Sequence, residues 1–305
     1  MTPAPAVLVG IETGGTKIVC RVIDDAGRTL TDTRFPTVTP DRVVDTLVAT
    51  IQAALPSGAR IGGIGVASFG PVIVDPASPD LGRMLATPKA GWTGFNLTQA
   101  LRTRLQAPVI IDTDVNAAAL AEQALGAGRG FHSVAYVTVG TGIGGGLAID
   151  GRTLKGGLHP EIGHLPIRRA ERDDHPSACG FHPNCVEGLT AGPALAARLG
   201  GRRLDAAPEL RALVCDYLGQ LSASLLLSWS PQIIIFGGGV MTTPGLLSEI
   251  EGRMRLELND YGASVVSKHG PYIVAAALEH AGLEGALIMA RTASQSRWRE
   301  GGHES

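Results

Sequence analysis

Residues 7–24, VLVGIETGGTKIVCRVID, and residues 134–154, VAYVTVGTGIGGGLAIDGRTL, are built alike. Each has a run of β-branched and apolar residues, a glycine-rich turn and a second such run, the composition of a tight hairpin. Each then leads into an Ile-Asp step and a Gly-Arg-Thr-Leu sequence, VIDDAGRTL in the first and AIDGRTL in the second. A hairpin repeated once per half constrains a 305-residue chain strongly. It predicts a duplicated α/β unit, two lobes facing each other across a cleft. Chance likeness between two glycine hairpins is the competing explanation.

The segments around the hairpins alternate between helical and extended patterns, which defines α/β architecture. Residues 40–55, with an Asp near their start, and residues 96–105 have apolar residues at helical spacing. The short strand VIID at 109–112 runs directly into Thr113, Asp114, Val115 and Asn116 and then an alanine-rich helix. Helices are expected over 193–199, 208–227, 244–258 and 281–291, with buried strands near 233 and 272. The expected division is an N-terminal lobe at 1–115, a C-terminal lobe at 116–291 and a polar, disordered tail at 292–305.

Composition narrows the function classes. A hydrophobic fraction of 44% rules out a disordered chain, and a formal charge of −2 gives no general attraction for nucleic acid or an anionic membrane. No apolar run reads as a membrane span, and the start MTPAPAVLVG lacks the pattern of a signal peptide. A cytoplasmic protein is expected. Cys20 and Cys215 lie in apolar surroundings and are expected to pack in cores.

The other two cysteines fall in one loop, HPEIGHLPIRRAERDDHPSACGFHPNCVE, at 159–187. Cys179, His182 and Cys185 have C-x-x-H-x-x-C spacing, and His164 can supply a fourth corner, the donor set of a closed structural zinc site. The plainer alternative is a surface loop of unconnected polar residues with free thiols. Glu161 and Glu187 flank the ligands and are left for another partner.

Glycine turns between strands expose backbone N–H groups that suit phosphate oxygens. The first adds Thr16 and Lys17, the second Thr141, and a third run stands at 237–239. Neither of the first two fits a Walker or dinucleotide pattern. Asp114, at the end of a strand, is placed either to act as a base or to begin a helix. Phosphoryl transfer asks mainly for positioning, so a weak base is enough.

Glu12 to Lys17, Thr113 to Asn116, Gly140 to Gly146, Glu161 to His164 and the loop from Cys179 to Glu187 follow one another as in the ROK family of sugar kinases. The chain resembles that family up to about Arg291. Ser68-Phe69-Gly70-Pro71, Thr87-Pro88-Lys89-Ala90-Gly91-Trp92 and Asp112 to Asn116 look most like its bacterial fructokinases. The resemblance implies the duplicated actin-like, ribonuclease-H-like fold and transfer of phosphate from ATP with Mg²⁺ to D-fructose. Mannose or glucose is the alternative substrate, and a catalytically silent sugar sensor the alternative class. A repressor would need a DNA-reading domain ahead of the first turn, where only MTPAPAVLV stands.

By resemblance, Asp114 is the catalytic base, and Glu161, His164 and Glu187 hold sugar hydroxyls, with Thr113 beside them. Gly14, Gly15, Thr16, Lys17, Thr141 and Gly142 surround the ATP phosphates; Pro193, Gly237, Gly238 and Gly239 border the adenosine. His164, Cys179, His182 and Cys185 hold Zn²⁺. The partners implied are sugar and ATP, with no nucleic acid and no membrane, in a homodimer. Three departures stand out: Glu12 replaces the usual Asp, Thr113 stands where glucose kinases carry Asn, and His182, an equivalent ligand, stands where their zinc motif has Cys. Loss of zinc is expected to disturb the sugar site and leave the glycine turns alone.

Overall fold

The computed structural model describes residues 5–259, 261–262 and 270–300. The first sheet contains β1 (Ala6–Thr13), β2 (Lys17–Ile23), β3 (Thr29–Pro36), β4 (Arg60–Ser68) and β5 (Val109–Thr113), in the order β3-β2-β1-β4-β5. β2 is antiparallel to β1 and β3, whereas β4 is parallel to β1 and β5. The second contains β6 (Ser133–Val139), β7 (Ile143–Ile149), β8 (Arg152–Thr153), β9 (Ile233–Gly237) and β10 (Ile273–Ala275), in the order β10-β9-β6-β7-β8. β6 is antiparallel to β7 and parallel to β9, and β9 is parallel to β10. Taken from β8, this sheet repeats the first strand for strand. The hairpin likeness is therefore a true duplication.

The chain divides into a unit of residues 1–121, 153–159 and 280–305 and a unit of 122–152 and 160–279. This differs from a single cut at 115/116. Helix α3 (Asp114–Leu125) carries the first boundary within its length. Residues 153–159 return to the first unit because Thr153 and Lys155 are held by buried Asp112 on β5.

In the first unit, α1 (Pro40–Ala54) starts after Thr39 with proline in its first turn, a position where the missing N–H costs nothing. Val43, Val44, Leu47, Val48 and Ile51 put one apolar face into the core with the β1, β2 and β4 residues. Helix α2 (Leu97–Leu105) is capped by Asn96, whose side chain accepts the Gln99 N–H at 2.9 Å. In the second unit, α4 (Val186–Thr190), α5 (Gly192–Leu199), α6 (Pro208–Trp229) and α7 (Leu246–Leu258) complete the core. Cys20 and Cys215 are buried where the sequence predicts, and burial pushes each thiol up to about 12.

The sequence gives no sign of a membrane span, yet α6, at 22 residues, is long and apolar enough by length and composition. Its Leu210, Val214, Leu218, Leu221 and Leu225 are buried in the second core, which accounts for the apolar run.

The last helix, α8 (Ala281–Glu300), packs across β4 and β1. It extends past 292, where a disordered tail is expected; residues 301–305 lie outside the described residues. Its approach to the sheet depends on glycine. A Cβ at Gly65 falls on the Ala286 carbonyl, and one at Gly63 falls on that of Ala290. Because the obstructing atoms are backbone, no rotamer change relieves the overlap. Gly65→Ala is expected to lower unfolding free energy by about 3 kcal/mol or more, at the upper end for overpacked cores. Gly252→Ala, on an exposed face of α7 with nothing near the added carbon, should be neutral or stabilising. Denaturant unfolding of the two variants checks this, and equal midpoints would contradict it.

Candidate active site

The two glycine turns occupy the same place in the two units, between the first and second strands of each sheet. In the first, the Gly14 N–H bonds the Lys17 carbonyl at 2.8 Å and the Thr37 hydroxyl donates to the Gly14 carbonyl at 2.7 Å. Gly15 and Thr16 are left exposed at the tip. Lys17 opens β2 and pairs with Pro36. In the second, the Gly140 N–H bonds the Gly142 carbonyl at 2.9 Å, and Thr141 is exposed. Each turn is pinned at its base and exposed at its tip, the form that receives an anion.

The third glycine run divides by role. A Cβ at Gly237 meets the Tyr136 hydroxyl, and one at Gly238, whose φ is +92°, meets the Val139 backbone. These two are glycine because β9 passes close to β6. Gly239 has open space beside it and lines a cavity of about 390 Å³ with Gly192, Leu195, Leu199, Leu204 and Val240. A mostly apolar lining of this kind suits an aromatic base. Pro193, in the first turn of α5, is exposed and does not line the cavity.

Asp114 is the first residue of α3, immediately after β5. The helix cap is its neighbour: the Asn116 N–H donates to Thr113 Oγ1 at 3.1 Å. Thr113, expected beside the sugar, is 2% exposed, and its hydroxyl oxygen faces the helix start. Asp114 Oδ1 accepts the Val115 N–H at 2.9 Å, and the residue is half-buried. Beneath it, fully buried Asp112 accepts the Thr113 N–H, the Asn116 amide at 2.8 Å, the Thr153 hydroxyl at 2.6 Å and Lys155 Nζ at 2.8 Å. This anchor fixes the strand end that presents Asp114. The sequence showed Thr153 only as part of a repeat and Lys155 not at all, since neither carries a local pattern.

Glu12 lies near the start of α8. Its carboxyl lies against Gly282, and burial raises its pKa against the opposing pull of His280, Lys17, the Leu283 backbone and Arg34. The extra methylene relative to Asp thus reaches a helix N-terminus.

Four donors converge in the metal loop. His164, Cys179, His182 and Cys185 place one ligand atom each within 4.8 Å of one another. Cys179 Sγ is 3.8 Å from His164 Nδ1 and 3.7 Å from His182 Nδ1. Tetrahedral zinc, with Zn–S of about 2.3 Å and Zn–N of about 2.0–2.1 Å, holds such S and N ligands about 3.6 Å apart. The donor set and spacing fit zinc. Burial pushes the Cys185 thiol up to about 11, so a cation is needed to make that sulfur a thiolate near neutral pH. The loop is built on short local structure: Glu161 precedes a single 3-10 turn, Ile162–His164, and Cys185 caps α4, its Sγ accepting the Gly188 N–H.

The expected separation between metal loop and glycine turns does not hold. Glu187 Oε2 accepts the Ile143 N–H at 2.8 Å, directly after the second turn, and a Cβ at Gly142 would sit 2.7 Å from that oxygen. A Cβ at Gly163 would meet the Ile143 carbonyl. The Gly192 N–H donates to the Gly140 carbonyl at 2.7 Å. The second turn is thus braced by the segments that carry His164 and Cys185.

Comparison with known proteins agrees with this construction. A fructokinase from Zymomonas mobilis is 39% identical over 257 residues, covering 82% of this chain and 85% of its own. The crystal structure of a ROK hexokinase from Thermus thermophilus superposes with a TM-score of 0.77 at 31% identity, covering 95% of this chain and 99% of that one. A ROK glucokinase from Streptomyces griseus, solved with glucose and AMPPNP, gives 0.70 at 28% identity, covering 94% and 99%. The ROK family pattern itself matches residues 8–293, from the first strand of the first sheet into the last helix. With two equivalent sheets, a glycine turn in each and a Cys/His loop braced on the second, the chain belongs to the ROK family.

Proposed function

We propose that this chain is an ATP-dependent fructokinase, forming fructose 6-phosphate and ADP. The observation that carries this is the placement of Asp114 at a rigid strand end, with Asp112 anchoring the backbone beneath it and Thr113 capping the helix in its stead. Asp114 is proposed to take the proton from the 6-hydroxyl as the sugar oxygen bonds to the γ-phosphorus. The bond from that phosphorus to the bridging oxygen breaks, and ADP leaves with the electron pair. Gly14, Gly15, Thr16, Lys17, Thr141 and Gly142 are proposed to receive phosphate oxygens, and Gly239 with Gly192 to border the adenosine. Mg²⁺ would be carried on the ATP phosphates, as is usual for that ion.

Glu161, His164 and Glu187 are proposed to hold sugar hydroxyls. Zinc would be held by His164, Cys179, His182 and Cys185, and would supply rigidity rather than chemistry, because four protein ligands leave it no open position. His164 faces the cluster through Nδ1, which leaves its Nε2–H as a donor for a hydroxyl. A homodimer is proposed, on the family's habit and the frequency of closed twofold assemblies. Thiolate ligands in a loop without disulfides favour a reducing, cytoplasmic setting.

Fructose is favoured over glucose by the relative named fructokinase at 39% identity. In a coupled ADP-release assay over fructose, mannose, glucose and N-acetylated amino sugars, fructose is expected to give the highest kcat/KM. The margin over glucose should be about 10- to 100-fold, the range for one misplaced hydroxyl contact. Glucose turned over as well as fructose would overturn the substrate assignment.

A further inference from the structure

The first glycine turn carries a cation from outside its own sequence. Lys89 donates from Nζ to the Gly15 carbonyl, although 74 residues separate them. The same nitrogen lies 3.1 Å from where a Cβ on Gly15 would stand, and 5.4 Å from the centroid of the Phe69 ring. The ammonium is therefore stationed at the exposed tip of the turn, with an aromatic face behind it.

Its mounting is rigid. Trp92, fully buried, donates its indole N–H to the Val38 carbonyl at 2.8 Å, and its ring meets Phe69 and Phe95 edge-on at 5.1 and 6.1 Å. The Trp92 N–H closes back on the Lys89 carbonyl, and the Thr93 hydroxyl donates to the Thr87 carbonyl. A long, flexible side chain thus projects from a fixed base. An ammonium has three donors, and one carbonyl takes one of them. The remaining two are of the kind that an anion on the neighbouring bare amides would attract.

We propose that Lys89 binds the transferred phosphoryl group at the first glycine turn, countering the charge on its oxygens while it passes from ADP to the sugar and Asp114 takes the sugar proton. This rests on the phosphate role proposed for the turn. A purely structural Lys89, pinning Gly15 in place, is the competing role. The two differ in which nucleotide feels the loss: a contact to the γ-phosphate concerns ATP, whereas a pin on the turn affects ATP and ADP alike.

The test is kinetic and calorimetric, on the zinc-loaded protein with Lys89→Met and Lys89→Arg. Lys89→Met is expected to lower kcat by about 10- to 100-fold, the scale of one charge-assisted contact to a developing phosphoryl charge. It should weaken a non-hydrolysable ATP analogue about tenfold more than ADP, and leave the fructose KM and the unfolding temperature near wild type. Lys89→Arg should recover part of the rate. Equal weakening of ADP and the analogue, a loss confined to the fructose KM, or a lowered unfolding temperature with kcat unchanged would each overturn the proposal. Wild-type protein that binds neither nucleotide would overturn the phosphate role of the turn as well, whereas normal ADP and analogue binding by Lys89→Met would overturn Lys89 alone.

Discussion

Asp114→Asn is expected to lower kcat by about 10²- to 10⁴-fold, the usual cost of losing a general base. ATP and fructose affinities should stay within about threefold of wild type, because the amide keeps shape and hydrogen-bonding reach but cannot accept a proton. The variant should also fold normally. The Val115 N–H bonds Oδ1, which asparagine retains, and the cap of α3 is Thr113, which is untouched. Steady-state kinetics with fructose, alongside thermal unfolding, measures both sides of this. A fall of less than tenfold in kcat would reduce Asp114 to a charge at a helix start.

Removing the metal, or changing Cys179 to Ser, is expected to raise the fructose KM by about 10- to 100-fold, the effect typical of losing the support behind a binding group. His164 loses the partner that orients its ring, and Cys185, the cap of the short α4 that carries Glu187, loses the metal that ties it to the loop. Nucleotide affinity should fall too, by about three- to tenfold, because Glu187 bonds the Ile143 N–H and thereby braces the second turn. Titration calorimetry of fructose and of a non-hydrolysable ATP analogue against metal-free protein, with zinc content measured separately, resolves the two effects. Equal, large losses for both ligands would make the metal a support for the whole unit, and purified protein without stoichiometric zinc would contradict the loop assignment.

What the sequence made legible was local. The two glycine hairpins announced the duplication because strand, turn and strand are contiguous, and the strand order of both sheets bears them out. The Cys/His cluster is legible for the same reason: three of its donors fall within seven residues, and only His164 comes from farther upstream. Contacts between remote segments were not. Nothing near Gly63 or Gly65 signals that their missing side chains make room for a helix more than 200 residues later, so a division by sequence order puts α8 with the second sheet, whereas it packs on the first. Polarity alone predicts a disordered tail from 292, yet Ala293, Ser294 and Gln295 continue the helix, and Ala and Gln are good helix formers. Lys155 escaped notice because its partner Asp112 is 43 residues away. Lys89 has no local partner in the sequence, since only the folded loop sets it beside Gly15. The coupling of Glu187 to the second turn was likewise invisible in a segment whose spacing pointed to metal.

The most direct test of the account is to follow the reaction of zinc-loaded protein with D-fructose, ATP and Mg²⁺, counting ADP released and locating the new phosphate by phosphorus NMR. The account predicts one ADP per fructose consumed and a phosphate on the 6-hydroxyl. It also predicts no ADP above background without sugar, and a rate for Asp114→Asn at least about a hundredfold lower. ADP release that does not depend on fructose, or a phosphate on another hydroxyl, would contradict it.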